Sequence, residues 1–472
     1  MAMSAHHVTF PGRLVMVGFG SIGQGVLPLI LRHIAMDPKH VTIVTADGRG
    51  RKVAAEFGVR HVEQPLTRAN YREVLGAELN AGDFLLNLSV EVSSLALIEL
   101  AREKGALYLD TCIEPWAGGY TDPSLSLSMR SNYKLRDDLL ALARRNPGGP
   151  TAVVAHGANP GMVSHMVKRA LLHIARDTGV DATAPRDRAG WAALSQRLGV
   201  KVIHIAERDT QVSRVPKQVG EFVNTWSIDG FISEGSQPAE LGWGSHEKGL
   251  PPDGIRHDFG DGSGIILSRP GAATRVRSWT PLEGPYHGFL ITHNEALSIA
   301  DYLTVGEGYG AAYRPTVHYA YHPCDDAVMS VHEFAGKNWK QQPRQRLMMD
   351  EIEDGVDELG VLLCGHAKNV YWYGSRLSCS EARRLAPHNN ATSMQVTSAV
   401  LSGVVLAMEN PNLGIVEPEQ LDFERALAVQ APYLGELVGV YGDWTPLQDR
   451  GALFPEDLDT SDPWQFRNIR VL

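Results

Sequence analysis

Along the first third of the chain, short β-branched apolar runs alternate with longer runs at helical spacing. Leu14 to Gly18, Val41 to Thr45, Phe84 to Leu88 and Leu107 to Asp110 read as strands, while Ile22 to Ile34 and Ser93 to Lys104 read as helices. This βαβ rhythm predicts an α/β fold, a Rossmann-type doubly wound parallel sheet. One more strand, Thr151 to Ala155, leads into His156-Gly157-Ala158-Asn159-Pro160-Gly161 and a helix from Val163 to Ala175, and there the sheet is expected to end.

Beyond about residue 180 the pattern becomes irregular, aromatic and rich in Gly/Pro connections such as Gly249-Leu250-Pro251-Pro252-Asp253-Gly254. Lys201 to Glu207, Glu221 to Ile232, Gly288 to Ile291, Thr316 to Tyr321, Gly360 to Leu363 and Asn369 to Tyr373 read as strands, with a helix from Asn294 to Leu303. They predict a second α+β domain containing a mixed sheet. A long apolar helix from Ala391 to Met408, with Asn390 as its N-cap, ends at Glu409-Asn410-Pro411-Asn412. The expected organisation is a dinucleotide-binding domain over 1–156, with 385–412 returning to it. A substrate domain over 157–384 and a peripheral α-rich extension over 413–472 complete it.

The first strand runs directly into Gly18-Phe19-Gly20-Ser21-Ile22-Gly23. Gly18 permits the tight turn, Gly20 lets backbone approach a pyrophosphate, and Gly23 lets the helix lie close on the strand. The free amides at the helix start, from Ser21 and Ile22, would face the phosphates. The next strand ends near Asp47, about 24 residues past Gly23, where a carboxylate accepts from the adenosine ribose and repels a 2′-phosphate. That favours NAD, an argument Arg49 and Arg51 weaken; the lesser reading of Asp47 is a turn residue of Ala46-Asp47-Gly48. Strand ends carry the ligand site in such sheets, so Ser89, Val90, Thr111 and Ala155 are the next cofactor candidates.

The charge of −10 disfavours a nucleic-acid partner and would draw a cation if concentrated in a cleft. The four cysteines show neither CxxC nor Cys/His metal spacing and read as reduced thiols, with no metal site expected. No apolar run that could span a bilayer and no secretory leader are read in the sequence, so a cytoplasmic location and no membrane partner are expected.

A second constellation is Asn224-Thr225-Trp226-Ser227-Ile228-Asp229-Gly230-Phe231, an aromatic flanked by polar residues before an apolar strand segment and Glu234. Trp226 either lines a pocket or is a core tryptophan whose N–H finds a carbonyl. Glu207 and Glu114 follow strands, where a glutamate is more often a surface or loop carboxylate. His293, at the start of a helix, either meets substrate or caps structure.

Six motifs, GFGSIGQG at 18 to 25, LNLSVEVSS at 86 to 94, DTCIEPW at 110 to 116, HGANPGMVSH at 156 to 165, NTWSIDGF at 224 to 231 and HNEALSI at 293 to 299, resemble those of the bacterial homospermidine synthases. The resemblance runs close to full length, and the motif order is similar to the wider saccharopine dehydrogenase-like group. It implies an NAD-dependent homodimer that joins two putrescines into sym-homospermidine with loss of ammonia, through imine intermediates and a borrowed hydride, with spermidine as a further candidate substrate. Under it, Glu207, Glu114 and His293 are candidates for proton transfer, and Asn159 fixes amine and nicotinamide. Trp226 faces the reacting cation, and Glu234 with Glu114 binds the diamine. The competing expectations are a saccharopine-type reductase, which would need arginines converging on the pocket, and a silent NAD-binding scaffold.

Overall fold

A computed structural model describes residues 6–181 and 183–471. Its first sheet has seven strands, all parallel. Their spatial order is Ile415–Val416, Ala152–Val153, Leu107–Asp110, Phe84–Asn87, Leu14–Val17, Val41–Thr45 and Arg60–Glu63. Leu14–Val17 is an interior strand, with Leu14 beside both Val41 and Phe84. All four of its residues are buried, as a strand covered on both faces requires. Two strands differ from the sequence expectation. Arg60–Glu63 pairs on one edge despite its charged composition, and Ile415–Val416 extends the sheet past Ala152–Val153, where it was expected to end.

Helix Ala391–Glu409 packs against helix Ser21–His33, with Met394, Leu401 and Val405 meeting Val26 and Ile30. Asn390 accepts from the Ser393 N–H at 2.8 Å and closes a capping box. By length and composition this helix is apolar enough to cross a membrane, but 94% of its 18-residue apolar window is buried inside the protein.

The second sheet has eleven strands and is mixed. Its central pair, Val202–Asp209 and Thr316–His322, is parallel, whereas Val356–His366 runs antiparallel to Val202–Asp209. Strand alternation places Ile203, Ile205, Glu207 and Asp209 on the same face as Val317, Tyr319 and Tyr321. Most of these side chains are apolar or aromatic and pack with Met162, Met166, Ala170 and Ile174 of helix Met162–Thr178. The face turns acidic only at the carboxyl end of its strand, where Glu207 and Asp209 lie.

Two further corrections follow from this architecture. The stretch Glu221 to Ile232 is not one strand, because strand Glu221–Asn224 ends and helix Ile228–Ser236 begins, capped by the Ser227 hydroxyl accepting from Gly230. Trp226 therefore sits in the turn and Glu234 on a helix. The segment after 413 is not peripheral. Besides Ile415–Val416 it supplies Glu436–Gly442 to the edge of the mixed sheet and Arg470–Val471 beside Arg275–Thr280. Ile415–Val416 and Arg470–Val471, two residues each, carry too little periodicity to be recognised as strands.

Candidate active site

The glycine turn opens onto a cleft of about 470 Å³ at the carboxyl ends of the parallel strands. Gly18 has φ +85°, and a Cβ there would lie 2.7 Å from the Leu88 carbonyl. At Gly20 a Cβ would meet nothing within 4 Å, so its backbone faces open cleft. Gly18, Gly20, Ser21, Ile22, Gly23, Asp47, Ser89 and Val90 all line this space. Thr111, Ala155 and Asn159 do not; they lie beyond it, past the ends of strands Leu107–Asp110 and Ala152–Val153. Ser227, Asp229, Gln345 and Leu347 of the second domain close the far wall, a contribution the sequence reading missed.

Asp47 accepts from Arg49 through both its backbone N–H and its Nε, each at 2.8 Å, and these bonds hold its carboxyl below the usual range. Arg51 is engaged elsewhere, on Glu63. Both basic residues that complicated the cofactor preference are thus already paired with carboxylates.

Where the two domains meet lies a cluster of acidic side chains. Glu207 is 2% exposed and Glu114 7%, so neither is the surface carboxylate expected of an isolated glutamate. Burial raises Glu114 to about 7, against the N–H of Glu91 and the thiol of Cys112, which both favour its ionised form. Burial likewise pushes Glu207 up, although the Tyr319 hydroxyl donates to its Oε2. Asp110 accepts from the Ala155 N–H at 2.6 Å and from the Tyr108 hydroxyl at 2.7 Å. That anchors the start of the loop leading to Asn159.

His293 bridges two carboxylates: Nε2 meets Glu234 Oε2 at 3.0 Å and Nδ1 meets Glu295 Oε1 at 3.2 Å. Burial works against its charge, but Glu295 and Glu234 prevail and raise its pKa well above 6.5. The imidazole lies 4.5 Å from the Tyr319 ring, centroid to centroid. Asn159 sits beside the Tyr319 hydroxyl. The Trp226 indole is half-buried and donates to the Tyr321 hydroxyl at 3.0 Å, rather than to a carbonyl. Tyr321 and Tyr319 stack with centroids 5.1 Å apart and an interplanar angle of 9°.

Glu234 and His293 are therefore brought together, and both join Glu207 through Tyr319. Glu114 approaches from the other domain, within electrostatic reach of Glu234. The sequence reading missed Tyr319, Tyr321 and Glu295. The alternation His318-Tyr319-Ala320-Tyr321-His322 could have placed the two tyrosines on one face, and Glu295 follows His293 in the same motif. Glu295 is fully buried, and its Oε2 has no hydrogen-bond partner among the described residues.

A glycine-cradled dinucleotide cleft beside an acidic side-chain cluster of a mixed-sheet domain defines a two-domain protein of the saccharopine dehydrogenase class. Residues 14–153 match the model of the saccharopine dehydrogenase NADP binding domain, and residues 157–443 that of the saccharopine dehydrogenase C-terminal domain. The chain is 59% identical over 464 residues to a homospermidine synthase of Blastochloris viridis, covering 98% of this chain and 97% of that protein. It is 53% identical to that of Mesorhizobium japonicum, over 98% of this chain and 96% of the relative. A crystal structure of homospermidine synthase from Legionella pneumophila in complex with NAD superposes with a TM-score of 0.92 at 50% identity, covering 98% of each chain. The chain belongs to the homospermidine synthase family.

Proposed function

We propose that this chain joins two putrescines into sym-homospermidine with release of ammonia, using NAD without net consumption. The observation that carries this reading is the acidic cluster in which Glu234 and Glu295 hold His293, Tyr319 donates to Glu207, and Glu114 lies within electrostatic reach of Glu234. Such a cluster suits a substrate with an ammonium at each end. The cleft fits the cofactor because Gly20 leaves backbone bare to it and Asp47 stands at the strand end. When bound, NAD takes up the hydride lost by the amine-bearing carbon and returns it to the exchanged imine. Gly18, Gly20, Ser21, Ile22 and Gly23 would hold its pyrophosphate, Asp47 its adenosine ribose, and Ser89 and Val90 its middle. Thr111, Ala155 and Asn159 would stand toward the nicotinamide.

Taking an alkylammonium near pKa 10.4 to its neutral form at pH 7 costs about 4 to 5 kcal/mol. Glu207 and Glu114, both raised by burial, are matched to accept that proton near neutrality. His293, held charged by its two carboxylates, returns a proton to the departing ammonia. Asn159 orients the reacting amine. Trp226 faces the cationic imine with a π surface that attracts it but cannot trap it covalently, a contact of about 2 kcal/mol when desolvated. A carboxylate at about 4 Å would contribute roughly 4 kcal/mol at an effective dielectric of 20, but would hold substrate and intermediate alike. Glu234 therefore serves the distal, non-reacting ammonium. Spermidine as an alternative donor, a homodimeric assembly and a cytoplasmic location belong to the same reading.

Incubation with putrescine and a catalytic trace of NAD⁺, following homospermidine, ammonia and NADH absorbance together, tests it. Product in large excess over NAD⁺ without lasting NADH is the expected result. NADH accumulating one-for-one, or turnover only with NADH and a keto acid, overturns it.

A further inference from the structure

The Glu114 carboxylate is held from two directions by groups the proposed chemistry does not use. Its Oε1 accepts from the Cys112 thiol at 3.4 Å and its Oε2 from the Glu91 backbone N–H at 3.2 Å. Glu91 has a left-handed φ of 59°, which turns its amide inward. Its carbonyl accepts from the Ala117 N–H at 3.1 Å. Glu91 and Ala117 both line the dinucleotide cleft, so one wall of that cleft is hydrogen-bonded directly to Glu114.

The chain bearing the thiol is equally constrained. Ser94, first residue of helix Ser94–Lys104, donates its hydroxyl to the Cys112 carbonyl at 3.2 Å and accepts from the Glu114 N–H at 3.0 Å. Its own N–H donates to the Glu114 carbonyl at 2.9 Å. Cys112 is half-buried, whereas Cys324, Cys364 and Cys379 are buried. Burial, with Glu114, Asp110 and Glu234 nearby, raises its pKa well above that of an ordinary thiol. It therefore stays S–H, able to donate and unable to attack a cationic imine as a thiolate would.

We propose that Cys112 is a positioning residue, whose S–H acts with the Glu91 amide to hold Glu114 toward the diamine and tie its geometry to the cofactor cleft. This rests on the reading that Glu114 meets the diamine. The experiment measures kcat/KM for putrescine across neutral pH, with NAD⁺ affinity alongside, in wild type, Cys112→Ala, Cys112→Ser and Glu114→Gln. Cys112→Ala removes a donor to the ionised carboxylate, so the acid limb moves up by roughly half a unit to one unit. That is about a 3- to 10-fold loss on the limb. Cys112→Ser keeps a donor and leaves the limb at or below its wild-type position, with NAD⁺ affinity unchanged. An unmoved limb in Cys112→Ala, or equal shifts in the Ala and Ser variants, overturns the proposal. Cys112→Val, of similar volume and without a donor, replaces the alanine if that protein does not fold. Glu114→Gln with undiminished putrescine turnover would instead overturn the parent reading; an impaired Glu114→Gln with an unmoved Cys112→Ala limb removes only the role of Cys112.

Discussion

Trp226 donates its indole N–H to the Tyr321 hydroxyl at 3.0 Å, and Tyr321 stacks on Tyr319, which donates to Glu207. The orientation of the indole is thereby tied to the carboxyl that would handle the proton. Trp226→Phe keeps a π face but loses the tether, and is expected to retain partial activity. Trp226→Ala should lose roughly thirtyfold in kcat, the equivalent of about 2 kcal/mol, with a smaller change in KM. Steady-state kinetics decides, and equal losses in kcat and affinity would sink the cation–π role.

Tyr319→Phe removes a hydrogen bond that favours ionised Glu207. Without it the carboxyl rises further, and the acid limb of the kcat profile should move to higher pH. A profile identical to wild type would detach Glu207 from the rate-limiting proton transfer.

Glu234→Gln leaves His293 with Glu295 as its remaining carboxylate partner and takes one negative charge from the cluster. Putrescine KM should rise about tenfold or more, the scale of a lost charge-assisted bond, while NAD⁺ binds as before. Calorimetric titration of both ligands measures this, and undiminished diamine affinity rejects the assignment of Glu234 to the distal ammonium.

Asp47→Ala should weaken NAD⁺ and release Arg49 from the two bonds it now makes. The freed guanidinium can then accept a 2′-phosphate, so the NAD⁺/NADP⁺ affinity ratio is expected to fall about tenfold or more. A ratio unaltered by the substitution would place the adenosine ribose elsewhere.

Burial raises Asp110 to about 6 and Glu114 to about 7. The folded protein thus binds more protons than the unfolded chain, and stability from these groups falls as pH rises from about 4 to 7. A diamine beside Glu114 would neutralise that carboxylate once it ionises, so the rise in Tm caused by putrescine should grow over that interval. Thermal melts with and without putrescine measure it; a ligand-induced rise that shrinks with pH would contradict it.

The dinucleotide cleft was legible because its signal is local. Strand, glycine turn and helix lie within residues 14–33, and the chemistry of Gly18 and Gly20 follows from their spacing. The apolar helical run of Ala391–Glu409 and its Asn390 cap could be read for the same reason. The acidic cluster was legible only as a set of separate candidates. Trp226 meets Tyr321 across 95 positions of sequence and Tyr319 meets Glu207 across 112. Alternation says that Tyr319 and Tyr321 share a face, but not which strand lies alongside.

What the sequence by itself determined is the parallel α/β half, its cofactor turn and the residue types available for amine chemistry, since each depends on neighbours within a few turns of chain. Only the tertiary structure decided that Val202–Asp209 lies parallel to Thr316–His322, that Glu207 and Glu114 are buried, and that His293 bridges Glu234 and Glu295. Burial and charge coupling arise when distant segments exclude water together, and the pKa values that make these carboxylates useful near neutral pH exist only after that packing is complete.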